Sequence, residues 1–396
     1  MKTSPQFKYF LYSADQAVDN KSDVWTAPIP LSRKPSDKIE NISISHGNYF
    51  DAVRDFLEKD SFRLILSALS QQIRQDVTLG KLKEIRIYLE KHGEFYHPAR
   101  IETFLPESIV SFVLNVAVSG AGKDCAQREH RLLQKLNKNF SFSFLPMVFG
   151  RGRVFIKAAN LELQMFLGEW LKGYNEFHLS RDPSDDKLKM VVWDPEAGNY
   201  FLTTSQTRAL YRQAAKVLTA YYNVETFEHI FSWHHAAGDF VVKCQRDKLD
   251  VKLVTVRQYG PMFASNNGSD PQSPDALIVL EALLVFFLQL AMRMRLDRLD
   301  GTGEIVWSDK VVVEQSLKGF LDALALKSTG SLTAEPLVDY FQQHLSSYTR
   351  SELLALNRAL VAKYHPRSPD LAVIKQHLAQ HVDDLYAAAK DCKASS

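Results

Sequence analysis

Cysteine is scarce in this sequence. The three cysteines, Cys125, Cys244 and Cys392, lie far apart and include no CxxC pair. An odd and widely spaced set argues against a disulfide framework and against a structural zinc site. It favours a reducing compartment, and we predict a cytoplasmic protein.

A surplus of charge of one sign is also missing. The chain has 48 basic and 46 acidic residues among its 396, which gives a formal net charge of +2. Without a global positive field, the chain has no electrostatic reason to bind nucleic acid or an anionic membrane surface. We therefore expect no nucleic acid and no membrane among its partners.

No apolar run is long and clean enough to predict a membrane span. The most apolar stretch, residues 276–292, contains Glu281 and Gln289 and is followed by Arg293 and Arg295, whereas a span needs about 20 predominantly apolar residues. The first residues also lack the apolar core of a secretory signal peptide. We predict a buried helix for residues 276–292 and no export.

The bulk composition is that of an ordinary globular protein. Hydrophobic residues make up 45% of the chain and charged residues 24%, which is enough apolar side chain for a large core. A chain of 396 residues exceeds the size at which one core stops growing. Two or three packed units are therefore expected.

Four consecutive segments differ in their patterns. Residues 1–48 show no sustained hydrophobic period, which predicts an extended or poorly ordered arm. In residues 49–93 apolar side chains recur every three or four residues, which predicts a helical extension. Residues 94–164 include the β-rich stretch 109–118 and predict a small N-terminal lobe. Residues 165–396 predict a helix-rich C-terminal lobe.

Three local features have recognisable signals. Residues 206–222 predict a helix with Ser205 as its N-cap, and Asp124 is the predicted cap of a helix that follows the strand at 109–118. Residues 241–242 and 251–256 flank a turn-like segment, which predicts a β-hairpin.

A string that resembles the end of a phosphate-binding P-loop lies at residues 120–124. It fails as that motif, because Ala117 occupies the place of the first glycine and Asp124 that of the magnesium-binding hydroxyl. An ordinary turn is the better prediction.

The segment before the predicted hairpin combines proton-transfer groups with small residues. His235, Gly238 and Asp239 precede a strand. A carboxylate held in such a turn can orient and deprotonate a hydroxyl group. The alternative is structural, with the histidines packing a turn and Asp239 accepting hydrogen bonds from backbone amides.

The order of these elements resembles the kinase-like fold of aminoglycoside and small-molecule phosphotransferases. The catalytic loop of that family carries a His-Gly-Asp core, which His235 and Gly238-Asp239 match loosely. The resemblance covers about residues 94–259. It implies an α+β, two-lobed kinase-like fold, here with a helical N-terminal extension and a helix-rich C-terminal lobe.

The resemblance also implies ATP as cofactor and a small molecule or a protein as phosphoryl acceptor. Asp239 and His235 would be catalytic residues. Asn115 lies at or near the place of the lysine on the third strand, and Glu129 lies in the following helix where the family has its ion-pairing glutamate. Residues 165–173, with Glu169 and Trp170, resemble the hinge that meets adenine.

The sequence departs from the family pattern where magnesium would bind. Cys244 stands at the place of the metal-binding asparagine, and Arg257 follows the strand that should end in a metal-binding aspartate. We expect Arg257 to supply positive charge there and magnesium dependence to be weak or abnormal. We identify no metal ligands.

Two other functions remain open. The first is a catalytically silent nucleotide-binding or scaffold protein of kinase-like fold. The second is a metal-dependent enzyme that uses the His-rich loop, with His229, His234, His235 and Asp239 as possible ligands.

Two further clusters have competing interpretations. Glu176 and His178 follow the hinge-like segment, where they contact a ligand or are only solvated or capping residues. Residues 293–300 alternate in charge, which favours an ion-paired surface turn over a polar network that faces a cleft.

Overall fold

A computed structural model describes residues 4–12, 16–30, 44–231, 233, 238–246, 248–263, 275–327 and 334–394. The chain divides into two compact units. The first is Met1–Asn139 with Pro146–Lys172, and the second is Phe140–Leu145 with Gly173–Ser396. At the level of fold class the α+β prediction is confirmed, because the chain combines a six-stranded sheet with many helices.

The first unit is built on a six-stranded sheet with the order β1-β2-β3-β4-β6-β5. Strand β1 is parallel to β2, and the other neighbouring pairs are antiparallel. The strands are β1 (Gln6–Leu11), β2 (Glu84–Leu89), β3 (Ala99–Phe104), β4 (Ile109–Ala117), β5 (Val148–Ile156) and β6 (Leu161–Glu169), and the helices are α1 (Asp23–Thr26), α2 (His46–Ile73) and α3 (Gly120–Asn139).

Alternation along the strands decides which face of this sheet is buried under α2. In β4 the side chains of Phe112, Leu114 and Val116 are fully buried and belong to one apolar cluster with residues of α2. Ser45 begins α2 with a capping box, since its hydroxyl accepts from the Asn48 amide. The strand predicted at 109–118 is confirmed.

The N-terminal part of this unit has two strands that the sequence patterns did not predict. Residues 6–11 are extended, as expected of the arm, but they form a paired edge strand of the sheet. Residues 84–89, counted in the helical extension, form β2, because Ile85, Ile87 and Leu89 alternate at a period of two toward the core. The helical part of that extension is α2.

The helix after β4 begins earlier than predicted. The P-loop-like string lies in the first turns of α3, and the Ser119 hydroxyl accepts from the Gly122 amide at 3.1 Å. Asp124 is inside the helix and is not its cap. The helix predicted at 206–222 exists, but Thr203 caps it with Gln206 in a capping box, so Ser205 is not the cap either.

The second unit combines short strands with helices. Its strands are β7 (Glu176–Arg181), β8 (Leu188–Trp193), β9 (Tyr200–Phe201), β10 (Glu228–Phe231), β11 (Phe240–Gln245), β12 (Lys248–Leu253), β13 (Gln258–Pro261), β14 (Leu296–Arg298) and β15 (Ile305–Trp307). Its helices are α4 (Thr204–Ala220), α5 (Ala276–Met294), α6 (Val311–Leu324), α7 (Ala334–Ser347), α8 (Arg350–Val361) and α9 (Asp370–Ala394).

The strands of this unit pair locally. Strands β7, β8 and β9 form one antiparallel sheet, β11 and β12 form the predicted hairpin, β10 pairs with β13, and β14 pairs with β15. The β10–β13 ladder is formed by the strands on either side of the hairpin in sequence. This nesting brings the segment before the hairpin and the segment after it to the same place.

Helix α5 is a core helix. Among the described residues it is the one helix long and apolar enough to cross a membrane, and 61% of its most apolar window is buried inside the protein. Phe287 of α5 packs against Phe320 of α6 and Phe341 of α7, with ring centroids 5.1 and 6.1 Å apart. The prediction of a buried helix for residues 276–292 is confirmed.

Helices α4 and α6 pack so closely at Gly319 that the position has no room for a side chain. A Cβ atom there would lie 1.9 Å from the Arg212 carbonyl oxygen and 3.1 Å from the Ala215 Cβ. We expect Gly319→Ala to lower the free energy of unfolding by about 1–3 kcal/mol, because the helices have to separate. Urea unfolding followed by circular dichroism measures the change.

The neighbouring exposed Lys318 provides the matched control, because Lys318→Ala adds no atoms to the α4–α6 contact. Helix propensity alone predicts the opposite result for Gly319→Ala, a gain of about 1 kcal/mol. A more stable Gly319→Ala protein would show that the close approach does not constrain this helix pair.

Candidate functional site

Asp239 lies at the base of the β11–β12 hairpin. Its backbone carbonyl accepts a hydrogen bond from the Val254 amide at 2.8 Å, immediately below the Phe240–Leu253 pair of the ladder. Gly238 precedes it with φ +70°, in the left-handed region that favours glycine. The chain therefore turns sharply just before Asp239.

The Asp239 side chain forms a buried ion pair with Arg257. Asp239 is 1% exposed, whereas the Arg257 side chain is 28% exposed, and an Arg257 Nη donates to an Asp239 carboxylate oxygen. The nested ladders explain the contact, because Asp239 directly precedes β11 and Arg257 directly precedes β13. The structure thus brings together two of the residues predicted from sequence.

A second carboxylate lies beside this turn. A Cβ atom at Gly238 would lie 3.0 Å from the Glu176 Cδ and from one of its carboxylate oxygens. Glu176 begins β7, whose preceding residue Asn175 exchanges two backbone hydrogen bonds with Val242 of β11. The positive φ therefore favours glycine at residue 238, and a side chain there would displace the Glu176 carboxylate.

The chain before Asp239 is anchored at Trp233. Arg293, at the end of α5, donates from Nη to the Trp233 carbonyl oxygen at 2.6 Å and lies 5.3 Å from the ring centroid. The Trp233 ring contacts Phe240 edge-on at 6.2 Å. His235, predicted to be catalytic with Asp239, lies outside the described residues, as does His234.

The other predicted cofactor-binding residues belong to the first unit. Glu129 of α3 is buried and accepts a hydrogen bond from the Tyr96 hydroxyl at 2.6 Å. Burial, reinforced by the Glu129 charge, raises the pKa of Tyr96 far above its usual value. Asn115 of β4 is the cross-strand partner of Phe166, whose ring contacts His130 of α3.

Glu169 and Trp170, predicted to be hinge residues, lie at the end of β6. The Glu169 carboxylate accepts from the Met147 amide at 3.1 Å, and the Glu169 amide donates to the Met147 carbonyl oxygen at 2.8 Å. The Arg100 guanidinium lies 5.7 Å from the Trp170 ring centroid. Asn115, Glu129, Glu169 and Trp170 thus lie in the first unit, whereas Asp239 and Arg257 lie in the second.

Residues 294–297 of the segment 293–300 are buried, whereas Asp300 is exposed, so the prediction of a surface turn was wrong for the middle of the segment. Arg295 donates to the Asp384 carboxylate at 2.6 Å and to the Ser308 carbonyl oxygen at 2.8 Å. Asp297 is fully buried and accepts from the backbone amides of Leu179 and Arg298 at 3.0 and 2.6 Å. Asp297 lies in β14, which pairs with β15, and Arg295 directly precedes β14; both side chains are buried.

Two histidines considered from sequence are core residues. His178 of β7 is buried with its ring centroid 4.5 Å from that of Trp193, so it is not a solvated residue. His229 of β10 is also buried, and burial lowers its pKa. Among the described residues no group of three or more metal-ligating side chains is placed to hold an ion.

Comparisons with known proteins leave the family open. No protein-family model matches the chain, and no curated protein matches it. One solved structure to which it is similar is that of WaaP in complex with acyl carrier protein, at 8% identity and a TM-score of 0.30. The likeness covers 68% of this chain and 86% of that chain, and at this TM-score it carries no argument about fold or function.

The Asp239–Arg257 pair predicts an asymmetric response to mutation. Arg257→Ala removes the positive charge that faces a buried carboxylate, and we expect a loss of about 3 kcal/mol in the free energy of unfolding. Asp239→Asn leaves a partly exposed guanidinium that can reach water, and we expect a smaller loss of about 1 kcal/mol. Equal losses, measured by urea unfolding, would contradict this.

Burial raises the pKa of Asp297 to about 7, whereas the backbone amides of Arg298 and Leu179 oppose the shift. The folded protein therefore binds this proton more tightly than the unfolded chain does. The stability from Asp297 is full below about pH 3.8 and is lost as pH rises through about 7. Between pH 5 and pH 8 the expected loss is about 2–3 kcal/mol.

Asp297→Asn should remove that part of the pH dependence of unfolding. Urea unfolding of wild type and variant at pH 5 and pH 8 measures the difference. Asp300→Asn is the matched control, because Asp300 lies three residues away on the same segment and is exposed. The same pH dependence in wild type and Asp297→Asn would contradict the assignment.

Proposed function

We propose that the chain is a kinase-like phosphotransferase that transfers a phosphoryl group from ATP to a hydroxyl acceptor, with Asp239 at its centre. The observation that carries the proposal is the nested arrangement of β10–β13 around the β11–β12 hairpin, with Asp239 before the hairpin and Arg257 after it. In the kinase-like resemblance these two places belong to the catalytic aspartate and to a metal-binding aspartate. The two units would be its two lobes.

Asp239 has the chemistry of the residue that receives the acceptor hydroxyl. In phosphoryl transfer such a carboxylate orients the attacking oxygen and accepts its proton. The Asp239 carboxylate is oriented by Arg257 and by the backbone turn at Gly238. His235 stays a proposed second catalytic residue on the sequence resemblance alone.

Arg257 has the chemistry of a phosphate ligand. A guanidinium forms charge-assisted, bidentate hydrogen bonds to phosphate oxygens, and Arg257 is exposed enough to reach an incoming ligand. A phosphate that takes Arg257 would release the Asp239 carboxylate for the acceptor. A fixed cation at this place can stabilise the negative charge that develops during transfer.

The donor set does not fit ordinary magnesium binding. Arg257 holds the place of one metal-binding carboxylate and Cys244 that of the asparagine. The Glu176 carboxylate lies beside the turn at Gly238. We propose that ATP is the cofactor and that magnesium contributes weakly or abnormally.

The second candidate is a catalytically silent nucleotide-binding or scaffold protein. The burial of Asp239 favours it, because a carboxylate that is 1% exposed is not available to a hydroxyl group while it is bound to Arg257. The third candidate, a metal-dependent enzyme, has less support, since His229 packs against the rings of Phe231 and Phe286. For each candidate we propose a cytoplasmic location, from the cysteine content.

Calorimetric titration with ATP, with and without magnesium, tests the first proposal together with a turnover assay across small-molecule and protein hydroxyl acceptors. We expect Asp239→Asn to bind ATP but to lose turnover by about 100-fold or more. We expect Arg257→Ala to weaken ATP binding, because a phosphate ligand is lost. Lys248→Gln, an exposed change on the same hairpin, should match wild type.

The other outcomes separate the candidates. Strong magnesium-dependent turnover that survives Asp239→Asn would reject the assigned role. ATP binding without turnover in the folded wild-type protein would favour the silent protein. If the folded protein does not bind ATP, the scaffold protein without nucleotide binding is the candidate that remains.

A further inference from the structure

A cleft between α8 and α9 lies in the C-terminal helices of the second unit. It has a volume of about 450 Å³ and is lined by residues of both helices and of the connection between them. Ligand pockets in proteins typically measure about 300–1,000 Å³. The cleft is therefore large enough for a small molecule, and none of its lining residues belongs to the site around Asp239.

The walls of the cleft are mostly apolar. Val361 and Leu378 are buried side chains that line it, together with Leu371 and Tyr364, and they belong to or pack against one apolar cluster. Ala362 also lines the cleft and is exposed. Such a surface favours an apolar part of a ligand, because binding removes both surfaces from water.

Two of the side chains that line the cleft are cations, and Tyr364 adds a hydroxyl group. Arg358 of α8 and Lys375 of α9 are exposed and lie across the same cleft. Within the described part of the chain neither forms a salt bridge. The segment between the two helices also contains Lys363 and Arg367, and Asp370 begins α9. The positive charge at the cleft therefore comes from the two lining cations and from this segment.

We propose that this cleft binds a small anionic amphiphile, a molecule with a phosphate or carboxylate head and a short apolar tail. The tail would lie against Val361, Leu371 and Leu378, and the head would lie between Arg358 and Lys375. The charge and the apolar walls together select this class over an uncharged apolar molecule and over a free inorganic anion. The ligand is a dissolved monomer, since the cleft has the size of a small molecule.

Calorimetry with octyl phosphate below its micellar concentration tests the proposal on the full chain. We expect one molecule bound per chain, at least tenfold more tightly than inorganic phosphate or octyl glucoside, because each of these lacks one half of the interaction. Arg358→Gln and Lys375→Gln should each weaken binding about three- to fivefold, the upper range for exposed charge pairs.

Two further variants test whether the ligand binds in the cleft or elsewhere on the same surface. Lys363→Gln is the matched control, because it removes the same charge from the same segment without lining the cleft, and its effect should be below twofold. Ala362→Glu puts a negative charge and a larger side chain on the exposed wall and should abolish binding. Circular dichroism confirms that each variant is folded.

Three results would overturn the proposal. Octyl phosphate could bind no better than inorganic phosphate, which reduces the site to a surface cation pair. The four variants could bind alike, which places the ligand elsewhere. The protein could bind only to vesicles that contain anionic phospholipid and not to the monomer. None of these measurements depends on phosphoryl transfer, so the outcome is independent of the function proposed for Asp239.

Discussion

A carboxylate that is almost completely removed from water has to be balanced by a nearby positive charge or by hydrogen bonds, because the cost of burying an isolated ion exceeds the stability of most proteins. Asp239 satisfies this requirement through Arg257. The requirement fixes the geometry around it, since Arg257 reaches Asp239 only if the β11–β12 hairpin folds and β13 returns beside β10. The hairpin, the ladder and the ion pair are therefore one cooperative arrangement.

Two other buried charges in the second unit, Arg295 and Asp297, are balanced in different ways. Arg295 is compensated by Asp384 of a distant helix, whereas Asp297 is compensated by two backbone amides. The Arg257 side chain is 28% exposed, whereas the side chains of Arg295 and Asp384 are 4% and 9% exposed. A ligand can reach an exposed guanidinium such as that of Arg257 and can replace its carboxylate partner without unfolding the chain.

Sequence patterns were reliable where one face of an element is buried. The strand at 109–118, the helix at 206–222, the hairpin after Asp239 and the buried helix at 276–292 follow from hydrophobic periodicity and turn residues. Arg257 was selected for its place after the hairpin, and its role in binding a cofactor stays a prediction. Residues 84–89 were misread because a short apolar run can satisfy a period of two and a period of three or four.

Long-range contacts could not be read from local patterns. The charges at 293–300 suggested a surface, because Asp384 and the backbone of β7 are distant in sequence. Glu176 was noticed as a possible ligand residue, but its closeness to Gly238 depends on the bridge between Asn175 and Val242. Capping residues were misplaced by two or more positions, since Ser, Thr and Asp near a helix start are equivalent until the backbone is known.

The parallel pairing of β1 with β2 has a consequence for how the chain folds. Gln6 pairs with Glu84, and the intervening residues include the whole of α2. Closing so long a segment costs chain entropy before any ladder hydrogen bond forms. During synthesis β1 leaves the ribosome first and stays unpaired until β2 has been made. Removing β1 would leave β2 as an unpaired sheet edge and would favour pairing between chains.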